Sequence, residues 1–223
     1  MEAETTDTDF DAELERIRAR LLGMGEKVEL MIAESVRALS QRDSLLGESI
    51  INCDLEVNLL GQQIDGTCLQ LLGGLPAEER DCYFITQALK IVIDLERISS
   101  QCASIARSVL ELNGEARLKP CIDLTLMAEA AHISVKDALD AFLAGNNALA
   151  IKVFQGARVV DEFNDQIQRV LLTVMMEDPT TICRALKINS ISGYLETIAD
   201  HAGNIAETVI LMVNGKGARH SVA

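Results

Sequence analysis

Two pairs of acids are the residues in this chain best placed to do chemistry. They are Asp161 and Asp165 in VVDEFNDQI, and Glu196 and Asp200 in LETIADHAGNIAETV. Residues four apart on a helix point to nearly the same side, about 6 Å apart along the axis. Two carboxylates so placed repel, and each raises the other's pKa unless a cation sits between them. Antiparallel packing of the two helices would bring all four together, an oxygen set suited to hard or borderline divalent and trivalent cations. A solvated acidic face is the competing reading.

The second acidic segment has an earlier echo, LERISSQCASIARSV over 95–109, with six of fifteen positions identical to 195–209. INCDLEVNL, with Asp54 and Asn58, precedes it as VVDEFNDQI precedes the later copy. The separation from Asp54 to Glu96 is 42 residues, and from Asp161 to Glu196 it is 35. The difference is about two helical turns, one lost from each arm of a hairpin, which keeps the acidic faces opposed. Asp54, Asn58, Glu96 and Ser100 are thereby matched to Asp161, Asp165, Glu196 and Asp200. Only two of the first four are acids, so the expectation is metal in the second repeat and a weak or empty site at Asp54, Asn58 and Glu96.

Other arrangements carry less. Glu129-Ala-Ala-His132 has the spacing used by carboxylate-bridged di-iron bundles, but those need two such motifs and neither His201 nor His220 has one. His201 lies about 100° round the helix from Asp200 and reads as a supporting group or a surface residue. Asn204, one turn beyond Asp200, is a candidate for an outer oxygen. No Gly-rich phosphate loop and no local Ser–His–Asp or Cys–His arrangement occurs, and no catalytic residue is assigned. Six cysteines without a Cys-x-x-Cys pair read as buried small hydrophobes in a reducing cytoplasm.

Helices must position these groups. Phe10, Leu14, Ile17, Leu21, Met24, Val28 and Met31 alternate spacings of four and three, the seam of a long packed helix. The pattern predicts helices over about 10–41, 44–72, 77–113, 121–143 and 147–176, then a turn around Pro179 and a sixth helix running to about 213. Asp43 is the expected N-cap of the second. The fold class is all-α, two tandem pseudo-symmetric three-helix bundles of antiparallel helices, 10–114 and 121–214. A disordered leader, 1–9, and a flexible tail, 215–223, flank them.

Composition agrees. Of 223 residues, 48% are apolar and only 3% aromatic, with three prolines, a mixture that favours helices over strands. The net charge of −14 disfavours nucleic acid and anionic lipid and favours cations or basic protein partners. The apolar runs are too short to span a bilayer, so no direct membrane insertion is expected.

The helix lengths, the repeat and the acid spacing together resemble the PhoU family of phosphate-uptake regulators. The resembling segments are LLGMGEKVELMIAESVRAL, LPAEERDCYFITQALKIVIDLERIS and SGYLETIADHAGNIAETVILMVNG, in family order over about 10–214. The resemblance implies two three-helix bundles, no enzymatic activity, and metal ions, often iron, on acidic helix faces. By position it makes Asp161, Asp165, Glu196 and Asp200 the second-repeat ligands, with Asp54, Asn58 and Glu96 a partial first-repeat set. It also implies restraint of the phosphate-starvation response through contacts with a transporter ATPase subunit and a sensor histidine kinase. A cytoplasmic homodimer, recruited to the membrane through its partners, is the expected state. Ser100 and Gly61 depart from the family pattern. A metal-binding bundle with a storage or enzymatic role is the alternative.

Overall fold

The computed structural model describes residues 2–74, 79–119 and 122–219. Six helices follow one another: α1 (Glu2–Gln41), α2 (Ser44–Gly74), α3 (Glu79–Asn113), α4 (Thr125–Ala144), α5 (Asn147–Glu177) and α6 (Ile182–Arg219). A 3₁₀ turn at Pro179–Thr181 joins the last two, and no strand occurs among the described residues. Helices α1–α3 form one three-helix bundle and α4–α6 the other; α3 packs on α6 and α1 on α4, which joins the bundles.

The helices start and stop where local chemistry directs. Asp43 Oδ1 accepts from the Leu46 amide at 3.0 Å and caps α2. Asn146 does the same for α5 through Leu149, at 3.1 Å. Gly145 ends α4 with φ of 60°, a left-handed turn that glycine adopts without a Cβ penalty. Arg42 takes a similar conformation, φ 57°, without being glycine. That costs on the order of 1 kcal/mol, offset by its guanidinium, which donates to the carbonyls of Leu112 and Glu115 and ties the first hairpin to the inter-repeat linker.

Three expected boundaries shift. The backbone is helical from Glu2, so residues 2–9 of the leader expected over 1–9 continue α1; nothing in them breaks a helix, since they lack Gly and Pro. Helix α4 begins at Thr125 rather than 121, because Asp123 Oδ1 takes the Thr125 amide into a local turn at 2.9 Å. Helix α6 runs through Gly215 and Gly217 to Arg219, because glycine lowers helix propensity but keeps its N–H in the ladder. Residues 220–223 of the expected tail lie outside the described residues.

The core is the set of seams read from the spacing. Every apolar residue of the first seam, Phe10 to Met31, is buried. Of the six positions identical between the two echoes, five are the fully buried pairs Leu95/Leu195, Ile98/Ile198, Ile105/Ile205, Ala106/Ala206 and Val109/Val209. Burying each large aliphatic side chain contributes roughly 1.5–3 kcal/mol, so the repetition is first of all a repeated core. The cysteines depart from expectation. Cys68 and Cys102 are buried, but Cys53 and Cys82 are half-buried and Cys183 is exposed. Cys183 sits in the first turn of α6, beyond the packed seam, and Cys121 lies outside the described residues. Burial pushes the Cys68 thiol up to about 11, with Asp65 adding to the effect.

Candidate acidic site on the second repeat

Helices α5 and α6 bring the four second-repeat acids onto one surface. Asp161, Asp165 and Asp200 are exposed, and Glu196 is half-buried. Burial raises the Glu196 carboxyl, and the charges of Asp161, Asp200 and Asp165 raise it further. Asp161 is raised likewise, by burial and then by Asp200, Asp165 and Glu162. Beneath them Asn164, 3% exposed, donates from Nδ2 to Glu196 Oε2 at 2.6 Å. Arg169 faces Asp165 at 3.7 Å, an exposed contact worth little. A cleft of about 510 Å³ opens beside Asp200, lined also by Phe154, Ala157, Thr197 and Asn204.

The donor chemistry fits a hard cation. The acids are all oxygen ligands, their mutual repulsion falls when a cation enters, and the buried Asn164 Oδ1 has no hydrogen-bond partner among the described residues. The side chains as they stand do not enclose one point: among the described residues, no three His, Cys, Asp or Glu are grouped closely enough to hold an ion. A cation would draw them inward from this splayed arrangement.

The first repeat is built differently, and its register corrects the matching expected from sequence. The structural counterpart of the Asn164–Glu196 contact is Gly61–Glu96, where Glu96 Oε1 occupies the space that a Gly61 Cβ would take. Glu96 and Glu196 differ by 100 positions, whereas Gly61 and Asn164 differ by 103. Burial follows that offset: Ile50, Val57, Ile64, Cys68 and Leu71 match Val153, Val160, Ile167, Leu171 and Val174, all buried. Asp161 therefore corresponds to Asn58, not Asp54; Asp165 corresponds to Gln62, and Asp54 to Ala157. Acid spacing alone slipped the alignment by one helical turn, because four residues bring a helix back to nearly the same face.

Asp54 is thus not half of a surface pair. It is 9% exposed and accepts hydrogen bonds from Ser99 and, at 3.3 Å, from Ser100. Glu96 is raised by burial, then by Asp65 and Asp54. Asn58 is half-buried, and the residue one turn after it is Gln62 rather than an acid.

Sequence reasoning missed Asp65, Ser99 and Asn164, and marked Gly61 only as a departure from the family pattern. Asn164 had a signal: it is a polar residue in the four–three seam of Val160, Ile167, Leu171 and Val174. His201 is not the surface residue offered as one reading, and Asn204, which lines the cleft beside Asp200, also reaches toward α3. His201 is buried, and its Nδ1 meets Asp94 Oδ1 across the α3–α6 contact at 2.9 Å, with Asn204 Nδ2 3.5 Å from the same oxygen. His132 Nε2 likewise meets Glu29 Oε2 at 3.2 Å, between α4 and α1. Both described histidines thus join the two repeats.

The PhoU domain matches twice, at residues 21–109 and 124–209, once on each bundle. The chain belongs to the PhoU family. The PhoU homologue of Pseudomonas putida, a phosphate-specific transport system accessory protein, is 36% identical over 95% of this chain and 83% of its own. The Escherichia coli K12 protein of that description is 29% identical over 95% and 88%. The crystal structure of PhoU from Pseudomonas aeruginosa superposes with a TM-score of 0.88 at 37% identity, covering 92% of this chain and 99% of that one. The PhoU family's two-domain pattern thus accounts for both the duplicated core and the fold.

Proposed function

We propose that this PhoU-family chain is a regulator of phosphate uptake and of phosphate-starvation signalling. In this reading it restrains both by docking on a transporter ATPase subunit and a sensor histidine kinase, from the cytoplasmic side and as a homodimer. The observation that carries the reading is the pair of PhoU domain matches, with relatives named as transport-system accessory proteins across 95% of the chain. The surface supports work by contact. It is strongly acidic, and Leu55, Leu59 and Leu69 stand exposed on α2. No described helix is long and apolar enough to cross a membrane, so membrane recruitment would run through those partners.

In the same reading a divalent or ferric ion binds the second repeat through Asp161, Asp165, Glu196 and Asp200. It would neutralise charge on the docking surface and supply no reaction step. The first repeat, with Glu96 alone among the four equivalent positions, binds such an ion weakly or not at all. The accessory role named for the relatives supports a non-enzymatic function.

Co-purification of the full chain with the transporter ATPase and with the sensor kinase tests the partnership. The expected result is capture of both at low ionic strength and weaker capture at high salt, because exposed charges are screened. Capture of neither would refute the proposed partners. Metal-dependent turnover abolished in Glu196→Gln would replace this reading with an enzymatic one.

A further inference from the structure

The two repeats place different residues at one structural position, and the consequence for the acid facing it is visible. In the first repeat that position is Gly61. Its missing side chain leaves space that the Glu96 carboxylate occupies, so Glu96 lies against the α2 backbone. In the second repeat it is Asn164, whose side chain fills that space and meets the Glu196 carboxylate instead. A carboxylate cannot donate, so Nδ2 is the group that faces Glu196 Oε2, and Oδ1 is turned to a buried setting without a partner. A buried, unsatisfied amide oxygen in a helix seam costs stability, and a leucine or valine would pack there more favourably. The seam's other members, Val160, Ile167, Leu171 and Val174, are all apolar.

We propose that Asn164 is a positioning residue of the second-repeat cation site, holding Glu196 in place among Asp161, Asp165 and Asp200, and that glycine at the equivalent position is one reason the first repeat does not form such a site. The inference rests on the cation reading above. A supporting hydrogen bond to a ligating carboxylate fixes its orientation, and loss of such a partner typically weakens metal affinity about 10–100-fold. The stability lost by burying the amide is then the counterpart of a preorganised ligand. The first repeat has the opposite arrangement. A Cβ at Gly61 would displace the far end of Glu96, a flexible group, although it would also press on Val92 Cγ1 at 3.2 Å.

The test is calorimetric titration of the metal-free full chain with Mn²⁺, with thermal unfolding of the same samples in chelator. Asn164→Leu should weaken Mn²⁺ binding at least about ten-fold while leaving the metal-free melting temperature equal to or above wild type, since it removes an unsatisfied buried oxygen. Asn164→Ala, which cannot overpack, should weaken Mn²⁺ to the same degree. A purely structural asparagine would show the reverse pattern, a lowered melting temperature with unchanged affinity. Mn²⁺ affinity within two-fold of wild type in both variants, while Glu196→Gln abolishes binding, would overturn the role of Asn164 and leave the cation site standing. Wild-type protein that binds no Mn²⁺ would overturn the cation reading and this inference with it.

Discussion

Neutralising one aspartate in each repeat should move stability in opposite directions. Asp54 is nearly buried and accepts from two serine hydroxyls, one of them on the fully buried Ser99. Asp161 is exposed and accepts from no neighbour among the described residues, but feels Asp200, Asp165 and Glu162. A hydrogen bond to a charged acceptor contributes about 1.5–3 kcal/mol, and a buried donor left alone costs a further 1–3. Part of the second cost disappears if Ser99 turns its hydroxyl to a carbonyl of its own helix. Asp54→Ala should therefore cost about 2–3 kcal/mol, and for a chain of this size each kcal/mol lowers the melting temperature by about 2–4 °C. Asp161→Asn removes like-charge repulsion, worth about 0.2–0.5 kcal/mol for each exposed pair. It should raise the melting temperature by roughly 1–4 °C.

Circular dichroism at 222 nm during heating, in chelator and moderate salt, reads both effects. Asp54→Asn is the control: it keeps one acceptor oxygen and should fall between wild type and Asp54→Ala. An Asp54→Ala protein melting within a degree of wild type would refute the claim that this carboxylate is an internal acceptor. An Asp161→Asn protein destabilised as much as Asp54→Ala would refute the claim that the second-repeat acids repel one another.

Two further outcomes follow from the same physics. Glu96, Asp161 and Glu196 have folded pKa values raised above their ordinary ones, so the native state binds more protons than the unfolded chain between the ordinary and raised values. Their contribution falls as pH rises through that window; metal-free protein should melt higher near pH 5 than near pH 7, and saturating Mn²⁺ should flatten the difference. Asp123 and Asp178 are lowered, chiefly by the Thr125 and Thr180 hydroxyls, and so oppose this only below the ordinary aspartate range. A metal-free melting temperature that rises from pH 5 to 7 would contradict the assignment. Ile98→Ala and Ile198→Ala should each cost about 2–5 kcal/mol, measured by urea unfolding, because the two are equivalent fully buried positions; a several-fold disparity would mean that the repeats are not equivalent in packing.

Most of the fold was legible because it rests on periodicity, and periodicity survives in one sequence. Each seam residue from Phe10 to Met31 is where the four–three spacing puts it, and Asp43 caps α2. That the second-repeat acids share one surface was legible for the same reason, although among the described residues they do not gather around one point. What could not be read was register between helices. A shift of one turn preserves the face, so Asp54 seemed the partner of Asp161 when the structure makes Ala157 its counterpart. Nor could pairings between the bundles be read: Asp94 with His201 and Glu29 with His132 are separated by more than a hundred positions and follow no local rule.

The slipped register changes what the difference between the repeats means. Under the sequence alignment, Ser100 is an aspartate lost from an old metal site and Asp54 is the survivor. In the structure Ser100 donates to Asp54, together with its buried neighbour Ser99, so the first repeat has a carboxylate satisfied from within the protein. A carboxylate with two internal donors has less need of a cation than four that share a surface and repel. Losing one exposed acid changes stability by only a few tenths of a kcal/mol, whereas losing one seam isoleucine costs several. The shared core is therefore held tightly in both copies while the acids diverge. Asp54, which has no acidic counterpart in the second copy, has its charge met by hydroxyl hydrogen bonds from Ser99 and Ser100.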